Sequence, residues 1–552
     1  MNEHSNLSRA QYSHLEVVGR CDVIVVGGGL AAMSAAISAA DAGCSVVLVN
    51  KGITGASGSS SKAAGILAAP FGHGDLTHRP MADSAEQHAR DTLLVGYDLG
   101  DPDLVYHVAR NATSAVEWLE GMGVVFSRAK DGGYVQLNAP GNSCPRGVSA
   151  LGGGQDIMQK LIVEARNRGI VILDETTARH LLTDDEGVYG AVLHGRQRYI
   201  VEAACVVLAA GGATGLFPTV SGDSGNVGSS IMLGFDVGAA LGNLEFIEFT
   251  LIYRVHGQVL RIAGLAPFLS RGGKIFNNDG DDLFASYYHD VPPPQVGRAE
   301  ILRMVESEII AGRGPVMLDC RHFSEDTWAE FERSQGSTTL DKISAAGCDY
   351  RREQIEVIPA AHSVLAGLVI DCNAETSVAG LFAAGENATG VHGAGRLSGN
   401  GLTACTVLGR TAGTNAVKRV LDKRIGVGDH DAGLEQLRLA VTALEGTSAV
   451  PPPDQLWPLV EEVRELVGHN LGIVRNDADL QKTMQELDLF LVKIDEYDLD
   501  QRDVFETRQM IRLARLMAEA AFSRKESRGV QFKSDHQGTE TSWARSQVIK
   551  NA

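Results

Sequence analysis

The chain has 552 residues, 44% of them hydrophobic, a formal net charge of −19, and 63 glycines against 16 prolines. It is too long for one ordinary core of ~100–200 residues, so two to four units are expected. Its apolar content excludes general disorder and the lack of a G-x-y period excludes collagen. An acidic chain without a basic block is a poor partner for nucleic-acid phosphates or anionic membranes.

Residues 1–20 read as a frayed polar arm with no apolar signal core, which points to a cytoplasmic protein. No run approaches the ~18 apolar residues of a membrane span. A strand is predicted over 22–26, stopped by Gly27-Gly28-Gly29, then a helix over 30–42 ended by Gly43, then a strand over 45–49. This βαβ opening implies a parallel α/β sheet. The stretch Gly27-Gly28-Gly29-Leu30-Ala31-Ala32 fits G-x-G-x-x-[GA]. Gly27 makes the turn, Gly29 lets a pyrophosphate approach the helix N-terminus, and Ala32 lets the helix sit close on the sheet. The acidic residue that dinucleotide sites place ~20 residues on is here Asn50, an amide able to bond ribose hydroxyls. After Lys51, a serine- and glycine-rich loop over 53–66 is of the kind flavoproteins extend toward the isoalloxazine.

Further along, helices are predicted over 103–122 and 155–168, a strand near 170–173, and strands across 186–208 that end in Gly211-Gly212. Residues 241–354 are more polar and turn-rich and read as an insertion. Apolar strands return at 368–371 and 380–385, and after 427 the chain is helical and charged, broken at Pro451-Pro452-Pro453. Three strand ends, near 26, 208 and 383, run into glycine and aim backbone at something that must come close. Eight scattered cysteines form no C-x-x-C pair, so no metal or iron–sulfur cluster is expected in this chain. The densest motif, 385–402, embeds Glu386, His392 and Arg396 among glycines.

Four segments match in order and spacing: GGGLAA at 27–32, AAGG at 209–212, IPAAHSVLAGLVID at 358–371 and AAGENATGVHGAGRLSGNGL at 383–402. On them the chain resembles, from about residue 20 to 535, the flavoprotein family of succinate dehydrogenase, fumarate reductase and L-aspartate oxidase. The resemblance implies an α/β fold: a Rossmann-type FAD-binding domain (1–240 and 355–426) split by an inserted α+β capping domain (241–354), followed by a helical C-terminal domain (427–552). It implies FAD held by Gly27, Gly29, Ala32, Asn50, Lys51, Ser59, Ser60, Gly65, Ala210, Gly211, Asp223, Glu386, Arg396, Asn400 and Leu402. Glu386 would hold the ribose, and Asn400 and Leu402 would line the flavin through backbone or side chain. The membrane complexes attach flavin to a histidine whose position here is Gly58, so non-covalent FAD is expected.

The implied chemistry is hydride transfer between flavin N5 and a substrate carbon, with Arg298 moving the proton. His362 would bind substrate and Arg396 would clamp its carboxylate, a task suited to the planar guanidinium fork. Arginine, with a pKa above about 12, is a poor base unless the site is dry and charged neighbours help it. Two departures from the family stand out. The second substrate histidine is replaced by Thr250, and the Thr-Glu pair by Pro267 and Phe268. A substrate with one carboxylate and a less polar or bulkier far end therefore fits better than plain succinate. The electron acceptor would be O2, another small acceptor, or an iron–sulfur partner protein; neither nucleic acid nor membrane insertion is expected. An aspartate-oxidase-like oxidation, a fumarate-reductase-like reduction and an electron-transfer subunit all remain open, and a flavin-binding protein without turnover is disfavoured by the retention of Arg298, His362 and Arg396.

Overall fold

The computed structural model describes residues 15–72, 83–195, 198–262, 264–293, 296–333, 337–423 and 454–551. The Pro451–Pro453 break and residues 1–14 of the expected arm lie outside these. The chain is already in a strand at Val17, because Val17–Val26 pairs along most of its length with Arg198–Leu208.

That pair is the centre of a seven-stranded sheet. The order runs Val171–Leu173, Val46–Val49, Val17–Val26, Arg198–Leu208, Gly187–His194, Thr177–Asp184, with Leu381–Ala383 also pairing to Arg198–Leu208. The inner strands are parallel and the last two antiparallel. Val23, Ile24 and Val25 are fully buried, as expected of a parallel strand covered on both faces. Register aligns Val26 with Leu208 and Leu208 with Ala383, so the three glycine-bound strand ends come out side by side at one edge.

Helix Leu30–Asp41 follows the first of these ends and packs on helix Asn400–Lys423. A Cβ at Gly409 would stand 2.4 Å from the Ala31 carbonyl oxygen, and one at Gly413 2.2 Å from that of Ala35. Glycine four residues apart on one helix and alanine on the other thus let the two backbones touch. This accounts for glycines that no sequence motif had claimed.

A second, antiparallel sheet orders Gln258–Leu260, Ile247–Val255, Ile355–Val364, Met317–Asp319 and Lys274–Phe276. It therefore runs past the boundary drawn at residue 354, and the chain rejoins the first sheet only at Leu381–Ala383. Phe268 does not line a substrate wall. It is fully buried in this unit's own core, its ring edge-on to Phe331 at 4.7 Å and to Tyr253 at 5.9 Å.

The C-terminal region forms helices Leu456–Asn470, Asp477–Ile494 and Arg502–Ser523. The chain then leaves helical structure and folds back, and its last strand, Val548–Ile549, pairs with Leu241–Gly242. On the way Gly529, at φ +57°, lies against the loop before Arg396. A Cβ there would stand 2.0 Å from the Ala394 carbonyl oxygen, which also accepts the Val530 amide at 2.9 Å. Only glycine fits this contact.

Candidate active site

The aligned strand ends form a cradle. Gly27 takes φ +127° and lies so close to the neighbouring strand end that a Cβ would overlap the Ala209 carbonyl. Gly29 is the N-cap of helix Leu30–Asp41 without a side-chain cap, and the Leu30 amide donates to Ser60 Oγ at 3.1 Å. The helix's first amides thus face the loop expected to cover a pyrophosphate. Ala32 is fully buried beneath it. Asn50 is buried at the next strand end and its amide donates to Ser57 Oγ at 3.2 Å.

The serine-rich loop is tied down by Asp223, which accepts from the Gly58 amide at 2.9 Å and from Lys62 at 2.5 Å, while Ser59 Oγ accepts from the Asp223 and Asn226 nitrogens. Burial opposes the Asp223 charge, but Lys62 and the backbone amides hold its carboxyl below the usual range. The Gly65 carbonyl accepts the Ala150 amide, the Ala210 amide donates to Asn387 Oδ1, and Gly211 faces the Asn226 amide group.

Glu386, the expected partner of the ribose, lies at the end of strand Leu381–Ala383. It accepts the Val364 amide at 2.8 Å, and Gly212 leaves room for it: a Cβ there would come within 2.3 Å of Oε1. Burial pushes this carboxyl up to about 7.

Two of the expected cofactor residues are engaged elsewhere. Lys51 pairs with Glu506 of helix Arg502–Ser523 at 3.0 Å. The Asn400 side chain is fully buried, held by His88 Nε2 at 2.7 Å and Thr92 Oγ1 at 2.9 Å, and its backbone amide donates to the Leu397 carbonyl at 3.1 Å at the start of helix Asn400–Lys423.

Arg298, Arg396 and His362 come together around a residue that sequence reasoning passed over, Glu248. Its Oε1 accepts from Arg298 Nη1 at 3.0 Å, and its Oε2 from Arg396 Nη2 at 2.7 Å and Nε at 3.0 Å. Glu248 is 6% exposed and Arg396 13%, while Arg298 is 44% exposed, so the carboxylate lies behind the guanidiniums. Burial works against the Glu248 charge, but Arg396, Arg298 and then His362 outweigh it and bring its carboxyl down to about 2.

Arg298 is the first residue of helix Arg298–Ile310, where the positive end of the helix dipole disfavours a cation. Partial loss of its water shell and the Arg396 charge pull it below the usual arginine range, with Glu248 opposing. Sequence offered one signal for Glu248: the single carboxylate in the largely apolar strand Ile247–Val255, two residues from Thr250.

His362 owes its direction to a β-bulge. Glu248 pairs with Ser363 and Phe249 with Ala361, so His362 is the extra residue, and bulges re-aim side chains in this way. Its Nδ1 lies 2.7 Å from Ser221 Oγ. Burial lowers its pKa to about 3, so the ring is neutral and carries its single proton on one of the two nitrogens.

Residues 22–402 match the FAD binding domain family, and residues 460–551 the C-terminal family of fumarate reductase flavoproteins. Over 545 residues, 96% of each chain, the sequence is 30% identical to an uncharacterized FAD-dependent oxidoreductase of Methanocaldococcus jannaschii. It is 32% identical over 529 residues to the L-aspartate oxidase of Mesorhizobium japonicum, covering 93% of this chain and 92% of that one. The solved structure of Mycobacterium smegmatis Sdh1 superposes with a TM-score of 0.81 at 26% identity, covering 97% of this chain and 94% of that one.

Proposed function

This chain belongs to the FAD-dependent flavoprotein family of fumarate reductases, succinate dehydrogenases and L-aspartate oxidases, and from that premise we propose that it oxidises a C–C or C–N bond next to a carboxylate, as an L-aspartate oxidase does, or reduces the matching double bond. The observation that carries this reading is the convergence of Arg298, Arg396 and His362, from three separate segments, on one point beside the glycine cradle. The cradle suits FAD: open glycine backbone at three strand ends, a helix N-terminus, and the half-buried Glu386 carboxyl.

When bound, FAD supplies a hydride acceptor or donor at N5. The protein's share is binding and proton handling. Arg396 presents its fork to the substrate carboxylate, and neutral His362 offers Nε2 for a hydrogen bond. Arg298 holds the proton that moves to or from the carbon or nitrogen beside the reacting centre. Its position at a helix N-terminus and beside a second guanidinium eases release, and Glu248 restores the charged form.

Anaerobic mixing with a panel of amino acids and carboxylic acids tests this. Bleaching of the flavin by at least one α-amino or aliphatic carboxylate is expected, with plain succinate a poor reductant. Bleaching only by substrates that lack a carboxylate would refute it. Hydrogen peroxide release on readmission of air marks the oxidase version, and reoxidation of reduced flavin by an enoate marks the reductase version. Among the described residues no helix is long and apolar enough to cross a membrane, and the route to an iron–sulfur partner stays the alternative if neither acceptor reoxidises the flavin.

Gly58 offers no side chain for attachment at the position used by covalent relatives, and its amide is engaged by Asp223. Both features support a flavin held without a covalent bond. Acid precipitation releases the yellow chromophore to the supernatant; colour retained in the pellet would contradict this.

A further inference from the structure

Two guanidiniums facing one substrate pocket would ordinarily suit a dicarboxylate. Here one of the two charges is already met from within the chain. Glu248 is held on a central strand of the antiparallel sheet, buried, and bonded to both Arg298 and Arg396 by three hydrogen bonds. The next carboxylate, Glu386, spends its hydrogen bond on the Val364 amide. His362 is neutral, and so is His392, lowered to about 3 by burial and the Arg396 charge. The group that contacts both arginines thus carries two positive charges and one negative, a net of one positive.

The remaining donors match that count. Arg396 uses Nε and Nη2 on Glu248, leaving the Nη1 side; Arg298 uses only Nη1. A guanidinium has five N–H donors, so each arginine keeps some for a ligand. Two residues along from Glu248 the strand offers Thr250, buried and uncharged, in place of a cation. A second ligand carboxylate would lie near the Glu248 charge with nothing to neutralise it, in a site where like charges repel strongly.

We propose that Glu248 takes the role of a second substrate carboxylate, so that the site selects carboxylates with a single negative charge over dicarboxylates of the same shape. This rests on the carboxylate-binding reading of the site and adds to it the residue that sets the permitted charge.

A matched pair of ligands separates the two. Fumarate and its monoamide, fumaramate, share size and geometry and differ by one charge, and neither reacts with oxidised flavin. Each is titrated into the FAD-loaded wild-type protein and into Glu248→Gln, with binding read as perturbation of the oxidised flavin's visible absorbance. In the wild type fumaramate binds at least tenfold more tightly than fumarate. In the variant the ratio moves at least tenfold toward fumarate.

Equal or tighter binding of fumarate by the wild type overturns the charge-selection proposal and leaves the carboxylate reading intact. A Glu248→Gln variant that loads FAD normally but keeps the wild-type ratio also overturns it. No perturbation by either ligand overturns the carboxylate reading itself, and the proposal with it. Should the variant fail to fold, the wild-type comparison still decides.

Discussion

Replacing Arg298 with alanine lowers kcat by about a thousandfold or more and leaves FAD content and thermal stability near wild type. The size follows from the role, since a positioned acid or base contributes about 10²–10⁴. The specificity of the effect follows from the geometry. Arg298 is 44% exposed and bonds Glu248 through Nη1, whereas Glu248 retains two bonds from Arg396 when it is gone. Alanine at the first position of helix Arg298–Ile310 favours the helix, and none of the cradle contacts to Gly27, Ser60 or Glu386 involves Arg298.

Arg298→Lys adds a readout that simple loss of packing would not move. An ammonium with an ordinary pKa of about 10.4 titrates below a guanidinium. Part of the activity should return, with the pH limb that reports this group shifted to lower pH. Turnover unchanged in the alanine variant, or a lysine variant with an unshifted limb, would remove Arg298 from the proton step.

The contrast between Arg298 and Glu248 shows where sequence reasoning carried and where it stopped. Gly27, Gly29 and Ala32 were legible because strand, turn and helix succeed one another within about 20 residues, and local order determines their placement. The adjacency of the three glycine-bound ends needed only the parallel register of their strands. Arg298, Arg396 and His362 were legible through their segments, without their mutual geometry. Glu248 was not legible, because its meaning lies in partners 50 and 148 residues away. Nor was the bulge that turns His362, since it comes from a register shift between two strands more than 100 residues apart. Phe268 misled for a related reason: matched to a residue of the family's Thr-Glu pair, it is instead drawn into an aromatic cluster that only the folded unit assembles. The C-terminal tail hid its role because its burial is made by charges, and polar residues in sequence read as surface.

That tail is the basis of the second large effect, on stability. Arg524 is fully buried; it donates to Glu245 at 2.7 Å, to Glu526 at 2.8 Å, and to the Trp543 and Arg545 carbonyls at 2.8 Å each. Glu245 and Glu526 are fully buried too. Arg524→Ala leaves Glu245 with only the Gln547 amide at 2.9 Å, strands two carbonyls, and opens a cavity, whereas Glu526 keeps Arg528. Removing one partner from a buried ion pair costs about 3–5 kcal/mol. A chain of several units does not unfold in one step, so the comparison is made on the urea midpoint of the C-terminal phase and on amide exchange over 524–549.

The control is Arg20→Ala, which breaks the Arg20–Glu202 pair whose arginine is 68% exposed and should shift stability by less than about 1 kcal/mol. The loss at Arg524 should also reach the substrate site. Gly529 and Val530 brace the Ala394 carbonyl two residues before Arg396, so a loosened tail frees the carboxylate clamp and raises KM before the flavin is lost. A midpoint in Arg524→Ala that falls no further than in Arg20→Ala would mean that this buried charge network does not hold the tail in place.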